Sequence, residues 1–185
     1  NPEEPSPDIQ LHFAFSMVDQ HGLKKHGRGG FTCHICVLRP KSVGSVKLAD
    51  ANPNSPPLID PAFLKDERDL DTMLAGVKQA QQIMQAPSFD AHRGKALYAG
   101  ASNDDEELKE DIRNRADTIY HPVGTCKMGP DSDPNAVVDQ RLRVRGIKSL
   151  RVIDASIMPK IVSGNTNAPS IMIGEKGAHM ILEDA

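Results

Sequence analysis

The chain has 185 residues, the size of one ordinary domain or of a large piece of a longer protein, and its 22 Lys and Arg against 25 Asp and Glu give a formal net charge of -3. That balance offers no cationic face for nucleic acid, whose binding requires clustered Lys and Arg that release counterions. No run reaches the roughly 18 consecutive apolar residues of a membrane span, the acidic start NPEEPSPDIQ carries no signal-peptide pattern, and three cysteines do not make a disulfide framework.

The first element expected is a strand in DIQLHFAFSMV, where Ile9, Leu11, Phe13, Phe15 and Met17 alternate with Gln10, His12, Ala14 and Ser16. DQHGLKKHGRGG then reads as a mobile surface loop of the kind that borders sites. FTCHICVLRP and GSVKLA resume strand character, so an antiparallel sheet is expected. The Pro- and Asn-rich ANPNSPPLIDPAF predicts an irregular crossing.

Helix follows in KDERDLDTMLAGVKQAQQIMQ, with Leu70, Met73, Leu74, Val77 and Met84 at helical spacing, acids early and Pro87 beyond the end. A second helix in SNDDEELKEDIRNRA opens with Ser102 or Asn103 as cap and has a thin apolar face, which predicts a surface position. NAVVDQRLRVRG and SLRVIDAS are Val- and Ile-rich strand candidates. The last helix, in APSIMIGEKGAHMILEDA, starts near Ala168 with Pro169 in its first turn, and Gly174 and Ala178 form a small-residue ridge suited to close packing.

Two stretches carry chemistry. In TIYHPVGTCKMGP, His121 stands among Pro122, Gly124 and Gly129, which fix a loop rather than a core face, although a lone histidine is more often structural or solvated. In SGNTNAPS, Asn165 and Asn167 suit the capping of any helix, and the same helix mouth would also present free N–H groups and a positive dipole end to an anion or electron-rich ring. The pair Cys33 and Cys36 invites a zinc reading, but an odd separation in a strand sends the two thiols to opposite faces, so no metal site is expected there.

HPVGTCKMGP, LRVIDASIMP and GNTNAPSIMIGEK, in this order and at these separations, resemble the carboxyl-terminal region of the glucose–methanol–choline family of FAD-dependent oxidoreductases. The earlier strands, crossing and long helix resemble that family's substrate-binding region more loosely. The resemblance implies an α+β fold, an antiparallel sheet with flanking helices over residues 1–144 including a catalytic loop at 118–130, then a strand and helix over 145–185 that would complete the FAD domain. It implies an amino-terminal half with a Gly-x-Gly-x-x-Gly loop for the FAD pyrophosphate. No such loop occurs here, so the chain, which also lacks an initiator Met, is expected to be the second part of a longer flavoenzyme and inactive alone.

Carried over position by position, the resemblance makes His121 the general base and Asn165 the second active-site residue, with Asp154, Ala155, Asn167, Ala168 and Ile171 lining FAD. The implied reaction is oxidation of a primary alcohol, with an electron acceptor such as a quinone. A choline dehydrogenase-like activity is the alternative within the family, and a non-catalytic binding module the alternative outside it. Choline finds no evident aromatic box in a chain with no Trp and with Tyr98 and Tyr120 as its tyrosines. The expected location is the cytoplasm, with peripheral attachment at the inner face of a membrane left open.

Overall fold

A computed structural model describes residues 4–27 and 29–185. The chain packs as two compact units, the first made of residues 1–44 and 61–117 and the second of 45–60 and 118–185.

In the first unit, β1 (Ile9–Ala14) pairs antiparallel with β2 (Thr32–Val37), placing Ile9 opposite Val37, Leu11 opposite Ile35 and His12 opposite His34. Alternation then puts Ile9, Leu11, Ile35 and Val37 on one face. The helix α1 (Glu67–Met84) covers that face, and Gly76 lets it approach: a Cβ there would lie 2.7 Å from Ile35 and 3.0 Å from Ile9. Cys33 and Cys36 fall on opposite faces of β2, and burial pushes both thiols up from their ordinary pKa. The ladder ends at Ala14, so Phe15, expected to continue the buried face, is 93% exposed. It joins an aromatic cluster instead, its ring 5.2 Å from Phe13, which in turn neighbours Phe31 and Phe89.

The expected loop after β1 holds a 3-10 turn at Gln20–Gly22 and a buried carboxylate, Asp19; Arg28, also in that loop, lies outside the described residues. Asp19 accepts from Tyr98 Oη and from His26 Nε2 at 2.9 Å, with Lys24 and Arg115 nearby. Asp66 caps α1 by accepting from the Arg68 amide at 3.1 Å. Asp69, one turn in and buried, accepts from the amides of Lys41 and Ser42, each at 2.8 Å, and so ties α1 to the segment leaving β2.

The second helix, α2 (Asp105–Arg115), is capped by Asp104 rather than Ser102 or Asn103, because Asp104 accepts from both Glu106 and Glu107 amides at 2.9 Å. Its thin apolar face is not a surface feature. Leu108 and Ile112 are buried in one cluster with Leu70, Leu74 and Ala99, since two residues one turn apart suffice to seat a short helix on α1.

The second unit departs further from the sequence reading. The stretch expected to be an irregular crossing is a hairpin loop: β3 (Ser45–Lys47) pairs antiparallel with β4 (Leu58–Asp60). Local side-chain bonds shape the connection, with the Asn52 amide donating to Asp50 at 2.7 Å and the Asn54 amide to Asn52 at 3.1 Å. The sheet is therefore two separate two-stranded pieces.

Neither 135–146 nor 149–156 forms a strand, and the expected C-terminal strand is absent among the described residues. Single bridges join Met128 to Val138, Val138 to Val144 and Arg143 to Arg151. Turn chemistry interrupts the apolar pattern, because the Asp139 carboxylate accepts from the Arg141 and Arg143 amides at 2.8 and 3.0 Å. Val138, Leu142, Ile157 and Met158 are nonetheless buried, together with Ile173 of α3 (Asn167–Glu183). The close-packing glycine of α3 is Gly177, whose Cβ would sit 2.4 Å from Ile153, while Gly174 has open space and Ala178 is exposed. Among the described residues no helix is long and apolar enough to cross a membrane.

Candidate functional site

The site forms within the second unit, where a loop and a helix mouth meet. Tyr120, just before His121, holds φ at 66°, a left-handed conformation uncommon for bulky residues. Gly124 holds φ at 90°, and a Cβ there would approach the Met158 carbonyl oxygen to 3.4 Å, so this turn needs glycine. Beyond it the loop is pinned to the next motif, with the Cys126 amide donating to Ser156 O at 3.0 Å and the Met128 amide to Ile157 O at 2.8 Å. Asp154 caps that short turn, accepting from the Ser156 amide at 2.7 Å. The stretches HPVGTCKMG and IDASIMP thus lie side by side although sequence separates them.

His121 is half-buried, and both ring nitrogens are engaged by the start of α3. Nε2 lies 2.8 Å from Asn165 Nδ2, and Nδ1 lies 2.9 Å from Thr166 Oγ1 and 3.4 Å from the Thr166 amide nitrogen. Thr166 is the N-cap of α3 and is buried, yet its side chain does not cap the helix. A neutral imidazole carries one N–H. With that hydrogen on Nδ1, donated to Thr166 Oγ1, the Nε2 lone pair accepts from the Asn165 amide and is the basic atom.

His121 and Asn165 therefore meet, as the sequence reading expects. Of the residues expected to line a cofactor, Asn167 and Ala168 occupy the exposed first turn of α3, Ile171 is 60% exposed one turn on, Asp154 is exposed and Ala155 is half-buried against the core. The N-cap Thr166 gives the first turn of α3 no side-chain bond, and a helix mouth without such a cap presents its positive dipole end to an acceptor.

Sequence reading missed Thr166. Its signal was present: the hydroxyl of a Thr three residues before Pro169 cannot accept from an amide at that position, since proline has no N–H. Tyr98 is also unavailable as an open aromatic wall, with the Arg115 guanidinium 3.5 Å and the Lys24 ammonium 4.9 Å from its ring centroid. A concavity elsewhere in the second unit, lined by Arg143, Arg145, Lys148 and Arg151, does not include His121. Three of its cations are already paired, with Asp139, Asp131 and Asp184.

The family model described as GMC oxidoreductase matches residues 40–174. The chain is 50% identical over 183 residues to an alcohol dehydrogenase [acceptor] of Pseudomonas putida, covering 98% of this chain and 33% of that protein. It is 45% identical over 181 residues to the mitochondrial choline dehydrogenase of Homo sapiens, covering 97% and 30%. Among solved structures it is similar to a pyridoxine 4-oxidase from Mesorbium loti, with a TM-score of 0.85, 29% identity and coverage of 94% and 34%. It is also similar to a formate oxidase of Aspergillus oryzae studied for FAD modification, with a TM-score of 0.84, 26% identity and coverage of 97% and 32%. The chain spans about a third of the length of these proteins.

Proposed function

The chain belongs to the GMC oxidoreductase family, and from that membership we propose that it is the substrate-side portion of an FAD-dependent alcohol dehydrogenase in which His121 takes the hydroxyl proton as a primary alcohol becomes an aldehyde. The observation that carries this reading is the 2.8 Å contact between His121 Nε2 and Asn165 Nδ2, two residues from different motifs. Bound FAD would supply N5 as the acceptor of the hydride that leaves the alcohol carbon.

The remaining work falls to residues of this chain. An alcohol oxygen replacing the direct contact would donate its hydrogen to His121 Nε2 and accept from Asn165 Nδ2. Imidazole is a suitable proton acceptor near neutral pH, and general-base help of this kind is worth about 10²- to 10⁴-fold. Asn165 does not titrate, but its N–H strengthens its bond as alkoxide character develops, which favours the transition state over the ground state.

The uncapped mouth of α3 fits the cofactor: Asn167 and Ala168 would present amide hydrogens and the dipole's positive end to the flavin ring, with Asp154, Ala155 and Ile171 around it. In this reading residues 1–144 serve the substrate, residues 145–185 pack on an FAD-binding part outside the chain, and an acceptor such as a quinone takes the electrons. The name of the P. putida relative supports an external acceptor. Choline is the second substrate reading, supported by the human relative; Arg115 and Lys24 at the Tyr98 ring weigh against that ring as a quaternary ammonium site.

The test is anaerobic flavin reduction in the intact protein, with a primary alcohol and with choline as alternative donors. His121→Ala should keep its flavin and slow reduction by about 10²- to 10⁴-fold, and Asn165→Ala should lose about 2.7 to 4 kcal/mol of transition-state stabilisation. Undiminished reduction in His121→Ala would remove the base from the reading, and an intact protein without flavin would move the binding-module alternative ahead.

A further inference from the structure

We infer that Thr166 is a positioning residue that holds His121 in the tautomer with its hydrogen on Nδ1, keeping Nε2 basic; this rests on the reading of His121 as the base. The reason begins at Pro169. A threonine at the N-cap ordinarily accepts from the amide two or three residues on. At α3 the third residue is Pro169, which has no amide hydrogen, and the Thr166 side chain makes no capping bond. The hydroxyl is instead 2.9 Å from His121 Nδ1 in a residue only 8% exposed. The β-branched side chain is stiff at χ1, so it fixes the ring's tilt as well as its partner.

The neighbours of both ring nitrogens decide the tautomer. Two groups of Thr166 face Nδ1, the hydroxyl at 2.9 Å and the backbone amide at 3.4 Å. The Thr166 backbone N–H points at Nδ1 and by itself favours a lone pair there, while the hydroxyl can donate or accept; because the Asn165 amide donates to Nε2 at 2.8 Å, the ring hydrogen falls on Nδ1 and the hydroxyl accepts it, against the longer amide contact. Without the hydroxyl, the amide is the remaining polar group of residue 166 at Nδ1, and it favours a lone pair there. The ring hydrogen then moves to Nε2, where Asn165 can turn its amide oxygen to accept it, and that ring cannot take a proton from an alcohol at Nε2. Thr166 thus acts on the reaction through His121, with no contact to substrate required.

The experiment compares Thr166→Val, Thr166→Ser and His121→Ala in the intact flavin-loaded protein. One readout is flavin reduction by a primary alcohol at varied concentration; the other is ¹⁵N NMR of histidine-labelled protein, which reports the His121 tautomer without turnover. Thr166→Val keeps the shape of the side chain and should lower the limiting reduction rate by about 10- to 100-fold, the range in which metal-bound histidines respond to loss of their orienting partner. The apparent substrate affinity should change little. Its His121 signal should shift from the Nδ1–H to the Nε2–H pattern, and Thr166→Ser should restore both rate and pattern. If His121→Ala is slow while Thr166→Val keeps the wild-type rate and tautomer, the positioning role is overturned and the base remains. A fully active His121→Ala overturns both. Equal slowing in the Val and Ser variants with an unchanged Nδ1–H signal reduces Thr166 to packing; a Val variant that does not fold leaves the Ser variant and the wild-type tautomer to decide, with an Nε2–H wild type against the inference.

Discussion

The first unit buries its apolar side chains with regular elements, whereas much of the second unit's core comes from irregular backbone. Leu70 and Leu74 of α1 meet Leu108 and Ile112 of α2 in the first unit. Val138, Leu142, Ile157 and Met158 are buried as deeply in the second, on a backbone held by single bridges and by Asp139 and Arg145 side chains that satisfy its polar groups. A close-packed interior does not require repeating hydrogen bonds, provided each buried N–H and C=O finds a partner. The contact between His121 and Asn165 sits in the irregular unit, where a loop can hold His121 with a left-handed residue on one side and a positive-φ glycine on the other.

The largest effect that would break this comparison comes from emptying each core. Leu70→Ala and Ile157→Ala, both at residues 1% exposed, should each cost about 2–5 kcal/mol of unfolding free energy, read from denaturant titration of the intact protein. A markedly smaller loss for Ile157 would mean that irregular backbone relaxes around a cavity and that the two cores are not equivalent. Next in size, Asp69→Ala should cost about 1–3 kcal/mol, because the Lys41 and Ser42 amides lose their acceptor.

Two glycines of α3 sharpen the contrast further. Gly177→Ala should destabilise by about 1–3 kcal/mol through overlap with Ile153. Gly174→Ala should instead stabilise by roughly 0.5–1 kcal/mol, the ordinary gain of alanine in a helix. A loss at Gly174 would reveal a segment outside these 185 residues packed against it.

The smallest effect is a pH dependence. The Arg68 side-chain bond lowers the Asp66 carboxyl from 3.8 to about 2, and the Tyr98 hydroxyl, with His26, holds Asp19 below its ordinary value despite burial. Both groups bind protons more weakly folded than unfolded, so their contribution is present above pH 3.8 and lost as the pH falls through the folded values, near 2 for Asp66. The acid limb of the stability profile should be shallower in Asp19→Asn and Asp66→Asn, with little change at pH 7 in the slope. An unchanged acid limb in both variants would place the acid sensitivity elsewhere.

What sequence made legible follows the same division. The period of α1 was readable because Leu70 and Leu74 lie one turn apart on a face that α2 covers, and β1 and β2 because their residues alternate. The runs around Val138 and Val152 carry the same residue types, but Asp139 and Gly146 bend the chain before a ladder can extend. β4 was hidden by the prolines beside it. In the site, His121 and Asn165 were legible through motifs, and Thr166 was not, because a threonine at a helix start has an ordinary explanation in capping.

By itself the sequence determined the composition of the site: a histidine in a Pro- and Gly-fixed loop, an asparagine before a helix, and a proline that removes one of the two amides a capping Thr166 could serve. Only the tertiary structure decided that these groups meet across 44 residues, and which ring nitrogen faces which neighbour. Local propensity acts over a few residues, while the tautomer of a ring depends on donors and acceptors within about 3 Å of it, and those are brought there by packing alone.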